Sequence, residues 1–184
     1  MSIYGMTDVS PPPFSKMAVL YHYWLAMPGV KARADVDPLA IGSRTLGHVS
    51  VGHFLEGGSD LRYDLICEEL KKVAPRLVPG ALSSDALRIE RTDFDMIHNL
   101  LGAVGRAGLI RVYSIRYRSL ELVPRMIHTI LLPLGVKEPG APAEDLLFGI
   151  WQQPVRQRFS VDSFDDLTDD FFASLEASPL KTAQ

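Results

Sequence analysis

His48-Val49-Ser50-Val51-Gly52-His53-Phe54-Leu55, then Glu56-Gly57-Gly58-Ser59, then Leu61-Arg62-Tyr63-Asp64-Leu65-Ile66-Cys67, is the stretch that decides the fold. In the first run Val49, Val51, His53 and Leu55 stand two apart, and in the second Leu61, Tyr63, Leu65 and Cys67 do the same. A period of two belongs to a strand, whose successive side chains point to opposite faces. The glycine pair between the runs reaches positive φ without steric cost, so the two runs are predicted to close as a β-hairpin.

Upstream the text is helical. Ala18, Leu20, Tyr21, Trp24 and Leu25 recur at helical spacing between Ser15, a predicted N-cap, and the stop Pro28-Gly29. Before them, residues 1–14 include Pro11-Pro12-Pro13 and read as an extended leader. Asp37-Pro38 is a helix start, because the aspartate accepts from orphan N–H groups and proline suits the first helical position; a short helix to about Leu46 is expected.

Downstream, Pro75 and Pro79-Gly80 break residues 68–90 into short helical pieces. Thr92 with Asp95 has the form of a capping box, and Phe94, Ile97, Leu100, Leu101 and Val104 follow at helical spacing. Three strand-like runs come next, Leu109 to Leu120, Val123 to Pro133 and Asp145 to Gln153, read as a meander. In the last segment, 156–184, Ser163-Phe164-Asp165-Asp166 reads as a second capping box ahead of an acidic helix carrying Leu167, Phe171 and Leu175. Arg106, Arg111, Arg116, Arg118, Arg125, Arg156 and Arg158 form a basic group around the third strand and read first as a solvated sheet edge blunted by charge; the sharper alternative, from charge complementarity alone, is that Asp165, Asp166, Asp169 and Asp170 dock against them.

The order helix, hairpin, short helices, longer helix, three-stranded meander resembles the PAS fold. Local text adds Tyr23-Trp24, Ala34-Asp35-Val36-Asp37-Pro38, Leu61-Arg62-Tyr63-Asp64-Leu65, Ile130-Leu131-Leu132-Pro133-Leu134 and Asp145-Leu146-Leu147-Phe148-Gly149. In this the chain is similar to the bacterial PAS-like family five over about Ala18 to Trp151, although Ile66-Cys67-Glu68 stands where that family has a glycine. The resemblance implies an α+β domain at 15–155, a five-stranded antiparallel sheet with helices packed on one face, plus N- and C-terminal flanking helices. It further implies a stand-alone sensory or small-ligand-binding module that signals through a partner or an assembly change; a ligand-free dimerisation or scaffold module is the alternative. No catalytic residue is carried over.

Under that fold the residues able to face a ligand pocket beneath the helix Thr92 to Ala107 are His53, Tyr63, His98, Tyr113, Tyr117, His128, Phe148 and Trp151, and each is also an ordinary core candidate. In the scaffold version Tyr21, Trp24 and Leu25 pack on a second subunit in a homodimer, or on another protein partner. No cofactor is called for. The five histidines lack His-x-x-x-His spacing, so no metal site is expected, with His98 the nearest to a haem ligand, and Cys67 lacks the motif of a flavin-binding cysteine. Gly102, Gly105 and Gly108 close a helix rather than open one, which sets them apart from a phosphate loop.

Composition narrows the classes further. A chain of 184 residues that is 47% hydrophobic and 22% charged can bury one core. Its net charge of -3 offers nothing to a polyanion, so no nucleic-acid partner is expected. The longest apolar run, Met126 to Leu134, is too short for a membrane span and contains His128, Thr129 and Pro133. With one cysteine, Cys67, and no secretory pattern in the first residues, a cytoplasmic location is expected. No Gly-x-Ser-x-Gly elbow or metal motif points to an enzyme.

Overall fold

The computed structural model describes residues 11–85, 94–118, 124–155 and 163–177. The expected hairpin is present: β1 (Val49–Leu55) and β2 (Asp60–Leu65) pair antiparallel through a turn in which Glu56, Gly57 and Gly58 have φ of 45°, 66° and 94°. The meander follows as β3 (Arg111–Arg118), β4 (Pro124–Leu134) and β5 (Asp145–Pro154), and β5 returns to pair with β1. A further strand, β6 (Ser163–Asp166), completes a six-stranded antiparallel sheet of order β2-β1-β5-β4-β3-β6.

The α+β class is therefore present, while the expected five strands become six. Ser163-Phe164-Asp165-Asp166 is a strand rather than a helix-capping box, because its backbone finds β3: Tyr113 pairs with Asp166, Ser114 with Asp165 and Ile115 with Phe164. The cap shifts by three residues. Asp166 Oδ1 accepts from Thr168 N at 2.9 Å and from Thr168 Oγ1 at 2.6 Å, opening the last helix, which runs over Thr168–Ala177.

The helices are α1 (Phe14–Ala26), α2 (Pro38–Ile41), α3 (Ser43–Leu46), α4 (Glu68–Val73), α5 (Phe94–Ala107) and α6 (Thr168–Ala177), with a 3-10 turn at Arg33–Asp35. Helix α1 begins directly after Pro13, so Ser15 sits in its first turn and not at the cap. The Asp-Pro start behaves as expected, Asp37 Oδ1 accepting from Leu39 N at 2.9 Å. Thr92, the expected cap of α5, and residues 1–10 of the expected leader lie outside the described residues.

Helices cover both faces of the sheet, not one. On the inner face α4 and α5 bring Leu70, Ile97, Leu101 and Val104 against Tyr63, Tyr113, Ile115, Leu131 and Phe148. On the outer face α1 and α6 bring Met17, Leu20 and Phe171 against Val49, Val112, Ile130, Leu132, Leu147 and Trp151. A strand covered on both sides can be apolar at every position. β4 is buried at every position from Met126 to Leu134.

The two sides of the sheet close differently. Beyond β3 lies β6; beyond β2 lies a strap at residues 80–82, where Tyr63 N donates to Ala81 O at 2.9 Å, Gly80 N donates to Tyr63 O at 2.6 Å and Arg62 bridges Leu82. Asp60 anchors this strap, its carboxylate accepting from Leu61 N (2.8 Å), Ser83 Oγ (2.5 Å) and Ser84 Oγ (2.6 Å). Where α5 ends, Gly105 lies against Gly58 of the hairpin turn and Phe54, which explains its glycine as a close-packing position.

Candidate functional site

Register sorts the expected pocket residues by face. Tyr113 stands opposite Thr129 and Thr129 opposite Ile150, a row on the inner face under α5. Tyr63 and Phe148 share that face, their rings edge to face at 6.1 Å, and Tyr113 meets Phe164 of β6 at 5.5 Å. His98 is carried by α5 and is half-buried. The side chain of Tyr117 lies outside the described residues.

Three hydroxyls are thus sunk in an otherwise apolar layer. Tyr63 is 7% exposed, Tyr113 6% and Thr129 0%. Burial pushes the Tyr113 hydroxyl up to about 12, partly offset by the nearby Thr129 hydroxyl. Burial raises Tyr63 as well, and the neighbouring Tyr113 adds to the effect. Both phenols therefore remain protonated at neutral pH. Thr129 Oγ1 approaches Tyr113 without forming a hydrogen bond of normal geometry, and it has no other partner.

His128 and Trp151 face the other way, as a correction to the expected pocket. They oppose each other on β4 and β5 in a row that continues to Ser114 and Asp165, on the outer face covered by α1 and α6. Trp151 is packed over Gly149, where an added Cβ would lie 2.5 Å from its Cη2, and stacks on His48 at 5.4 Å. His128 is 1% exposed, its Nε2 paired with Gln153 Oε1 at 3.0 Å and its Nδ1 without a partner. Gln153 Nε2 donates in turn to Pro11 O at 2.9 Å, so the amide oxygen faces the imidazole and Nε2 carries the proton.

Burial lowers the His128 pKa below its ordinary 6.5, with nearby Arg116 adding to the effect. The unfolded chain therefore binds a proton here that the folded chain resists. Stability from this residue is full above pH 6.5, falls as the pH drops below that value, and levels off once the folded His128 is protonated. Melting temperatures recorded from about pH 8 to about pH 5 should fall less steeply in His128→Gln than in the parent; equal slopes would show that His128 does not carry the effect.

His53 is also on the outer face. Arg62, His53 and Asp145 oppose one another across β2, β1 and β5, and a bulge between Val51 and Gly52 leaves Asp64 as the extra residue of β2. A bulge re-aims its side chain. Asp64 takes Arg62 Nε at 2.8 Å and Arg33 Nη1 from the 3-10 turn, and Asp145 Oδ1 takes His53 Nδ1 at 2.9 Å, with Arg33 Nη1 4.0 Å away. The Arg62 hydrogen bond, and then Arg33, hold the Asp64 carboxyl below the usual range. Sequence reading singled out His53 alone of this group. The others needed the bulge and the register.

The residues expected at a subunit interface are placed as follows. Tyr21 packs edge to face on Phe171 and Phe172, each at 5.7 Å, and Trp24 stacks on Tyr21 and donates Nε1–H to Pro133 O at 2.9 Å. Leu25 points outward, 50% exposed. Tyr23 and Asp37, both part of the family resemblance, meet directly: the Tyr23 hydroxyl accepts from Asp37 N at 2.7 Å.

Cys67 is buried and free; its Sγ accepts from Leu70 N at 3.3 Å, capping α4. Among the described residues no group of three or more His, Cys, Asp or Glu is placed to hold a metal ion, and no helix is long and apolar enough to cross a membrane. Comparison with family models, with curated proteins and with solved structures finds no significant match to the chain.

Proposed function

We propose that the chain is a PAS-like sensory module that takes up a small ligand between the inner face of its sheet and α5. In support, the sheet is antiparallel, and α4 and α5 pack on its inner face, where the resemblance implies a ligand pocket. The observation that carries the reading is the buried hydroxyl set. Tyr63, Tyr113 and Thr129 lie in one apolar layer, with Tyr113 directly opposite Thr129, and Thr129 Oγ1 is unpartnered. A buried polar atom without a partner costs about 1–3 kcal/mol, and a few such groups within apolar walls make the usual composition of a small-molecule site. The signal would leave through a partner protein or a change of assembly.

A second reading, a ligand-free dimerisation or scaffold module, draws on the edge-to-face packing of Tyr63 on Phe148 and the outward Leu25. Native mass spectrometry of the freshly purified chain, set against its denatured mass, separates the two. A reproducible extra mass per subunit, reduced in Thr129→Val and Tyr113→Phe, is the expected result. Bare dimers without an adduct, dissociating in Leu25→Lys, would replace the sensor reading with the scaffold.

A further inference from the structure

We propose that the outer-face cluster of Arg33, His53 and Arg62, set on Asp64 and Asp145, binds a small oxyanion-bearing ligand, a phosphate or carboxylate group received by the two guanidinium forks and by His53 Nε2. The site is separate from the inner face and does not depend on it.

The first observation is the depth at which each charge sits. The carboxylates lie below, with side chains 14% (Asp64) and 12% (Asp145) exposed, and the cationic or donor groups lie above, with Arg33 at 44%, Arg62 at 43% and His53 at 39%. A molecule arriving from solvent therefore meets N–H donors first. The negative charge that neutralises them is behind.

The second observation is how those donors are held. Arg62 commits Nε to Asp64, and Arg33 commits Nη1 to Asp64 with Asp145 at the edge of range. The remaining N–H groups of both forks are uncommitted within the cluster, and a guanidinium offers five in a plane that matches an oxyanion. His53 is oriented the same way: Asp145 takes Nδ1, which leaves Nε2 for a ligand. One carboxylate orienting two arginines, and a second orienting the imidazole, pre-organises two guanidinium groups and a ring nitrogen, which lowers the side-chain entropy lost when the ligand arrives.

A strut that only tied the 3-10 turn to the sheet would need Arg33 and Asp64 alone. The row Arg62, His53, Asp145 is additional, and it is set by direct cross-strand register rather than by chance approach of long side chains. With Nδ1–H given to Asp145, His53 Nε2 donates to an anion when the imidazole carries both protons and accepts from a protonated oxyanion when it does not.

The test follows the His53 imidazole nitrogen resonances of the full chain during titration with inorganic phosphate, and separately with acetate. Expected is a saturable shift with at least one anion; a response to phosphate alone assigns a phosphorylated ligand, and a response to acetate alone a carboxylate. Arg33→Gln with Arg62→Gln should raise the phosphate Kd at least about tenfold. Arg62→Lys keeps the charge, removes the fork and should weaken binding even if the double variant does not fold. No saturable shift with either anion, or a shift untouched by Arg62→Lys and by Arg33→Gln, would overturn the proposal and leave the cluster as a structural tie.

Discussion

Phe171→Ala is expected to destabilise the folded chain by about 3–5 kcal/mol, the usual cost of emptying a fully buried aromatic site. Phe171 is 0% exposed and its ring meets Phe14 at 5.8 Å, Tyr21 at 5.7 Å and Phe172 at 5.5 Å, so it joins α6 to α1 across the outer face. The loss reaches beyond one side chain, because α6 covers Val112 and the end of β3. The measurement is the denaturant midpoint at low and high salt. Docking of the acidic segment by charge is the sharper of the two sequence readings, and among the described residues one such contact is present, Arg116 Nη2 to Asp165 Oδ2 at 3.8 Å, both side chains well exposed at 39% and 49%. An exposed pair of that kind contributes about 0–1 kcal/mol. Phe171→Ala should therefore cost much more than Asp165→Asn and should be insensitive to salt. The reverse ranking would make charge the docking force.

Gly58→Ala is expected to cost about 3 kcal/mol or more, from two sources that add. Its φ of 94° is one that side-chain-bearing residues rarely adopt, and a Cβ there would lie 2.7 Å from Arg106 N and 2.8 Å from Gly105 C. Both obstacles are backbone, so no rotamer change relieves them and α5 would have to move off the hairpin. Gly57 provides the control: its φ is 66° and nothing lies within 4 Å of its Cβ position. Gly57→Ala should thus lose only about 1 kcal/mol, the conformational part alone. Equal losses at the two positions in thermal melts would remove the close approach of α5 to the turn as the cause.

The hairpin, α1, α5 and the meander are legible in the sequence because each is written in local periodicity. What is not legible depends on partners distant along the chain. Ser163–Asp166 carries the local signature of a helix cap and becomes a strand only because β3 offers it a ladder. The double coverage of the sheet is legible in one place: Ile130, Leu131 and Leu132 are consecutive apolar residues in one strand, so both of its faces need cover, and a sheet covered on one side would not need it. The candidate site divides along the same line. Tyr63, Tyr113 and Phe148 fall on the inner face, while His128 and Trp151 fall on the outer, since face depends on register and a shift of one residue reverses it. At Leu65 simple alternation fails outright. The bulge at Asp64 breaks the period, and Leu65 is 47% exposed instead of sharing the buried face of Leu61 and Tyr63.

The strap at 80–82 and the short β6 bear on how copies of this chain can meet. A bare strand edge is a template on which another chain can add a strand, and end-to-end repetition of that event builds fibres. Here the β2 side is taken by the strap, held by the Asp60 carboxylate, and the β3 side ends in a strand of four residues, two of them aspartates, too short and too charged to nucleate another. Polymerisation through the sheet would first have to displace one of these two guards. Copies of the folded chain are thereby left to meet through helix surfaces and side-chain contacts, where shape and symmetry, not a shared ladder of backbone hydrogen bonds, decide what assembles.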